Sequence, residues 1–458
     1  MATSRLVGLP TEIVALLATN LPSQDLHNLR QTCKPMAEKT AMAFHDRFFA
    51  ARYVMLERHS LLNLVAISCH PTLSKAVQTV ELCVDHLILP SDYLSREELK
   101  TFGVIDEYDI VRQHDGKPIA VVNDGGEATH TIYEDGWKDQ VDLFKTMLHI
   151  QYLTDAFSHL PNCRSVGLRD KTRPWGAMRL SRKVSSFANR FITRVLPNSM
   201  VHGVTLIRTL LVALLKSRLP VEELYVDFGH LMLGCTSVIP RMLALPAAAA
   251  NAFKKQLTTV TTFWIMVNPK QSENNFPAEA CKMLPPGDIA CESDRGWVSD
   301  FLGFLRLFPA LSNLTTSFNH GEDRQQFSEL PTPLTVPDLK SLRLESLECT
   351  KDELMGLLLR HKETLRTVEL DCVGVNGCGP DAWSCVVQAI RRDCRLERLD
   401  LSMCRVDERE FPFRFQIPER LYAGRDDDWS GMIAKLCASD VNTEGCSLLE
   451  DKASVATG

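Results

Sequence analysis

Leu339-x-x-Leu342-x-Leu344-x-x-Leu347-x-Cys349, Leu365-x-x-Val368-x-Leu370-x-x-Val373-x-Val375 and Leu396-x-x-Leu399-x-Leu401-x-x-Cys404-x-Val406 share one spacing and start 26 and then 31 residues apart. The central apolar-polar-apolar alternation is that of a short strand with one buried face, and the outer apolar residues carry the chain over the strand's edges. A helix fits between successive copies. Thr350-x-x-Glu353 forms a capping box before Leu354, Leu357 and Leu358, with Arg360 and Lys362 at the basic end. Asp381 can cap the next helix, where Trp383, Val386, Val387 and Ile390 share one face. Strand then helix, repeated, predicts an α/β fold: parallel strands backed by helices.

Working back toward the N-terminus, the spacing returns less regularly. It is met by Val77, Val80, Leu82, Asp85 and Leu87, then by Cys163, Val166 and Leu168, then by Val221, Leu224, Val226, Gly229 and Leu231. Leu257, Val260, Thr262, Ile265 and Val267 fit more weakly, and Leu311 and Leu314 fit only the start. Ordinary buried strands of an α/β domain would read the same way in this early part. The frame as a whole is that of leucine-rich repeats, and the body resembles a degenerate, irregular repeat solenoid with insertions. The largest insertion spans about 90–139, an acidic excursion with a hairpin expected around Ile119–Val122 and Thr129–Tyr133. Val141, Phe144, Leu148, Tyr152 and Phe157 predict one helix after it. Residues 161–200 carry nine Lys or Arg against Asp170, a basic face for solvent or for an acidic peptide, phosphate or nucleic acid.

The first fifty residues follow a different pattern. Leu9-Pro10 places a proline at the mouth of a helix. Glu12, Ile13, Leu16, Leu17 and Leu21 follow at helical steps, and Pro22 interrupts them. Ser23 can cap a second helix with Asp25, Leu26, Leu29 and Cys33, which Pro35 ends or kinks. Ala37, Ala41, Phe44, Phe48 and Phe49 predict a third. Three short helices bury little core alone and usually lean on something else.

The ordered elements L-P-x-E-I, D-L-x-x-L-R and T-C-K over Leu9 to about Phe49 resemble the F-box, the adaptor-docking module of substrate receptors in cullin-based (SCF) ubiquitin ligases. The resemblance implies that Leu9, Pro10, Glu12, Ile13, Leu17, Leu21, Asp25, Leu26 and Leu29 form a surface for a Skp-type adaptor, with Glu12 and Asp25 at its polar rim. With the repeat-like body, the chain is similar to F-box proteins abundant in filamentous fungi. That family implies a substrate-recognition subunit, tied through the adaptor to a cullin and presenting an unidentified protein substrate. Two readings stand beside it: a repeat-built interaction or scaffold protein acting without ubiquitin transfer, and helices that merely cap the solenoid. The expected domains are a helical module at 1–50, a helical linker at 51–72, the repeat-like body at 73–415 and a C-terminal cap and disordered tail at 416–458.

Bulk properties agree with a globular protein. Of 458 residues, 45% are hydrophobic and 24% charged, and the net charge of −6 gives no bulk attraction to nucleic acid. No leader-like or membrane-spanning apolar run stands out; Val204–Leu215 is the nearest and is interrupted by Arg208. Fifteen scattered cysteines without framework spacing suggest reduced thiols and a cytoplasmic or nuclear setting. Cys372, Cys378 and Cys385 lack the close pairs of a zinc site. Phosphate-loop, nucleophile-elbow, zinc-protease and kinase motifs are missing, so neither catalysis nor a cofactor is expected.

Overall fold

Parallel strand pairing organises both compact units of the chain, Met1–Ala310 and Leu311–Gly458. The computed structural model describes residues 6–84, 86–87, 127–169, 197–227, 238–269, 296–318, 327–376, 382–406, 409–410 and 414–417. Residues 85, 88–126 and 170–196, the Gly-rich stretch 377–381 with Cys378 and Asp381, Phe411–Phe413 and the residues from 418 lie outside them. Most of the basic run, the Ile119–Val122 strand and the C-terminal expectations therefore lie outside the described residues.

The first unit begins with four helices: α1 (Thr11–Asn20), α2 (Ser23–Thr32), α3 (Lys34–Lys39) and α4 (Ala41–Phe48). The single third helix expected from Ala37 to Phe49 is two, parted at Thr40, whose hydroxyl donates to the Met36 carbonyl at 2.6 Å. Ser23 is the first helical residue rather than the cap; Pro22 holds the cap position, and Pro35 opens α3 rather than ending α2.

The expected helical linker at 51–72 is also revised. It opens with strand β1 (Ala51–Met55), followed by α5 (Arg58–Ser68) and α6 (Leu73–Ala76), and pairs in parallel with β2 (Thr79–Cys83). The strand escaped the apolar pattern because Arg52 stands where a repeat would put an aliphatic residue, opposite Val80. It is buried nonetheless, donating to the Phe48 carbonyl at 2.7 Å with its guanidinium 5.4 Å from the Phe49 ring.

After β2 come α7 (Glu127–Lys145), α8 (Leu148–Ser158), β3 (Ser165–Arg169), α9 (Pro197–Ser217), β4 (Glu223–Asp227), the 3-10 turn Pro240–Leu243, α10 (Ala247–Gln256), β5 (Thr262–Val267) and α11 (Trp297–Leu305). The Thr129–Tyr133 arm expected in a hairpin is part of α7. The single helix expected from Val141 to Phe157 breaks at Met147, which takes a left-handed backbone (φ 57°) between α7 and α8. Strands β1 to β5 lie side by side in chain order, all parallel.

Their register aligns Val80, Val166, Leu224 and Phe263 in one row and Leu82, Leu168, Val226 and Ile265 in the next, all at most 2% exposed. The β5 frame is thus Val260-Phe263-Ile265, not Leu257-Val260-Thr262. The Thr262 N–H donates to the Glu222 carbonyl at 3.1 Å, which fixes Thr262 opposite Glu223 at the strand's entry.

The second unit holds β6 (Asn313–Phe318), β7 (Ser341–Glu345), β8 (Glu348–Thr350), α12 (Lys351–Arg360), β9 (Thr367–Asp371), β10 (Gly374–Asn376), α13 (Ala382–Asp393), β11 (Arg398–Ser402), β12 (Arg405–Val406), β13 (Arg409–Glu410) and β14 (Arg414–Ile417). Strands β6, β7, β9 and β11 are parallel, and β14 closes that edge antiparallel. A second ladder runs β8-β10-β12, parallel, with β13 antiparallel to β12. The expected rows hold: Leu342, Val368 and Leu399, then Leu344, Leu370 and Leu401, are buried and aligned. The Thr350–Glu353 capping box is complete.

Ser346, Cys372 and Met403, each just after β7, β9 or β11, share a left-handed backbone with φ of 57°, 56° and 48°. The Ser346 N–H donates to the Asp371 carbonyl and the Cys372 N–H to the Ser402 carbonyl, both at 2.9 Å. This turn redirects the chain from the long ladder into the short one, against an intrinsic cost of about 1–2 kcal/mol at each non-glycine position.

Among the described residues no helix is long and apolar enough to cross a membrane.

Candidate functional site: the outer face of the N-terminal helices

On α1, Val14 and Ala18 turn inward, while Ile13, Leu16 and Leu17, at steps of three and four, are 46%, 63% and 48% exposed. That is an apolar stripe beside, not on, the buried one. Leu6 and Met42 are also exposed. Five of the eight exposed large apolar residues among the described ones thus fall between residues 6 and 50, far more than a solvated face needs.

The module's own core is small. Ala18, Leu26 and Ala43 form one buried cluster in it, with Leu21, Phe44 and Phe48 packed against that cluster, and Val14 and Met36 are buried as well. Three cations hold the helices where that core is thin. Lys39 Nζ donates to the carbonyls of Val7 (2.8 Å) and Leu9, on the approach to α1. Arg47 donates to the carbonyls of Thr19 (2.6 Å) and Leu21, where α1 ends. Arg30 donates to the Ala37 carbonyl at 2.7 Å and lies 4.0 Å from the centre of the Phe44 ring. Both ends of α1 are therefore fixed by charge-assisted bonds to carbonyls, and its apolar stripe is left outside.

The residues singled out in the sequence divide in two. Pro10, Glu12, Ile13, Leu17 and Asp25 are exposed, and Leu9 and Leu29 are half-buried. Leu26 is a correction: it is fully buried in the module's core, and Leu21 packs against the same core, so their apolar surface stabilises the module itself. Leu16 and Met42 were missed. The 13-16-17 spacing could have revealed Leu16, whereas Met42 gave no signal because only packing decides which face of α4 turns out.

The outer face of the first unit's sheet carries a second cluster. Arg169 on β3 donates to Glu81 on β2 (3.2 Å) and to Asp227 on β4 (3.1 Å). Its guanidinium lies 4.8 Å from the Tyr225 ring and 5.4 Å from that of Trp264. Glu81, Tyr225 and Asp227 are at most 5% exposed. Burial alone would lower the Arg169 guanidinium; the charges of Glu81 and Asp227 outweigh it, so proton affinity is raised. Burial and then Glu81 push the Tyr225 hydroxyl up. Gly167, beside Tyr225 in the register, is required: a Cβ there would sit 2.3 Å from the tyrosine ring. Arg164 pairs with Glu222 at 3.4 Å, so Arg164 and Arg169, the described cations of the basic 161–200 run, are both matched by carboxylates.

Among the described residues no disulfide is formed. Burial raises Cys163 and Cys404 to about 12, which makes them packing groups at neutral pH. Among the described residues no group of three or more His, Cys, Asp or Glu is placed to hold a metal ion. The arrangement offers apolar area and fixed charges for docking. No known protein-family model matches the chain, and no curated protein sequence matches it significantly.

Proposed function

We propose that the chain is a substrate-recognition subunit of an SCF ubiquitin ligase, its N-terminal helices docking as an F-box on a Skp-type adaptor and its leucine-rich-repeat-like body holding a protein substrate. The exposed stripe Ile13, Leu16 and Leu17 carries this reading, since a module with so small a core exposes its best apolar residues. Covering these half-exposed side chains is worth roughly 1 kcal/mol or more apiece, enough for a specific contact when combined with Pro10, Leu9 and Leu29. The receptor makes and breaks no bonds; it concentrates and orients a substrate lysine.

A second reading has its own support. The Ala50 carbonyl accepts the N–H groups of Gln78 (2.8 Å) and Thr79 (2.9 Å), so the helices run directly into the first paired strand. In that reading the module caps the repeat-built body and needs no adaptor.

Pull-down of the full chain with a purified Skp-type adaptor separates the two. Ile13→Asp/Leu17→Asp abolishes capture with circular dichroism unchanged if the stripe is a docking face. A folded wild-type chain that captures no adaptor leaves the capping reading. Capture of adaptor without cullin in the complex leaves a scaffold that transfers no ubiquitin.

A further inference from the structure

Helices α7, α8 and α9, with His86 and Leu87, line an open cavity of about 550 Å³, within the size range of small-ligand sites. Its walls are mostly apolar, with Val141, Phe144, Ile150 and Val212 among them. Gln140 and His149 are polar members of its lining on α7 and α8, and α9 supplies a polar wall. His202, Thr205, Arg208 and Thr209 all line it from α9, at steps of three or four residues. His202 is 8% exposed, stacks on His86 (centroids 4.3 Å apart, 22° between planes), and its Nε2 has no hydrogen-bond partner among the described residues. The other two imidazoles are anchored by their Nδ1 atoms, His149 at 3.1 Å from the Leu143 carbonyl and His86 at 3.3 Å from that of Val84. Burial, and then His86 and His149, hold His202 well below its usual value, so it is neutral at physiological pH and can carry its proton on Nε2 as a donor. Arg208, lowered by burial, adds a cation to the same wall.

A buried polar nitrogen without a partner is costly to maintain and calls for an explanation, which a ligand's polar group would supply. An apolar chamber with an imidazole N–H and a guanidinium along one wall suits a molecule with an apolar body and one anionic end. We propose that this cavity binds a small apolar carboxylic acid, its carboxylate held by Arg208 and His202 and its body lying against Phe144, Ile150 and Val212. The site is separate from the exposed face of α1 and does not depend on adaptor docking.

Calorimetric titration of the full chain with decanoate, below its micelle-forming range, tests the assignment, with decan-1-ol as the uncharged counterpart. Wild type should bind decanoate about tenfold or more tightly than decanol, the ratio expected of a charge-assisted hydrogen bond. Arg208→Gln should remove that preference while leaving decanol binding unchanged. Val212→Phe, which narrows the chamber, should weaken both. Circular dichroism checks each variant, and the Arg208→Gln arm decides if Val212→Phe does not fold. No decanoate binding by folded wild type overturns the proposal. So does binding insensitive to Arg208→Gln, which would place the acid on an exposed apolar surface such as that of α1.

Discussion

Arg169 in the first unit and Arg343 in the second use the same device in different solvent. Each projects from a parallel strand on the face away from the aliphatic rows and gathers carboxylates from its neighbours. Arg169 takes Glu81 and Asp227, with side-chain exposures of 24%, 6% and 0%. Arg343 takes Glu345, Glu369 (3.1 Å) and Asp371 (3.8 Å), and is itself 42% exposed. The second network has more members, and Arg398 extends it through Glu369 and Asp400. The first has the greater hold on the fold, because removing one partner from a desolvated set strands the others, whereas water replaces a lost partner at the surface.

The sharpest way to break that contrast is Arg169→Leu. It leaves Glu81 and Asp227 buried without their shared cation and should cost about 3–5 kcal/mol in urea unfolding. Adding Glu81→Gln should recover part of the loss; full additivity of the two substitutions would show that the charges do not act as a unit. Gly167→Ala tests the aromatic half of the cluster. Its methyl collides with the Tyr225 ring, and a loss of about 1–3 kcal/mol is expected, with a change in the near-UV dichroism of Tyr225 and Trp264.

Acid gives a third, smaller effect. His202 and His149 are lowered in the folded chain, and an unfolded histidine titrates near the ordinary 6.5. Above that pH both states are neutral and nothing is gained or lost. Below it the unfolded chain takes up protons that the folded chain refuses, so stability falls as pH drops. His202→Leu should flatten the difference between urea midpoints at about pH 7.5 and about pH 5.5. Arg343→Ala should matter least, about 0–1 kcal/mol and less at high salt. A loss as large as that of Arg169→Leu would end the argument from burial.

The sequence made the body legible wherever the inward positions were aliphatic. Leu342, Leu344, Val368, Leu370, Leu399 and Leu401 stand in the rows that their spacing predicts. It failed where one inward residue was of another kind. Arg52 hid β1, and Phe263 moved the frame of β5 by three residues. The left-handed turns at Ser346, Cys372 and Met403 were invisible because none is glycine, and the next strand's carbonyls hold two of them in place. At the candidate docking face the helical spacing is readable, but the resemblance places Leu26 outward while it is buried, because one short helix does not reveal which apolar stripe its neighbours will cover.

By itself the sequence determined the alternation of strand and helix and the inward positions of the strands. Both follow from side-chain periodicities of two and 3.6 residues that act over a few neighbours. The tertiary structure decided which stripe of α1 stays outside, that Arg169 meets Glu81 and Asp227, and that a cavity opens between α7, α8 and α9. The Arg169 contacts alone join partners 58 and 88 residues apart in the chain, and all three outcomes depend on packing between elements that no local pattern encodes.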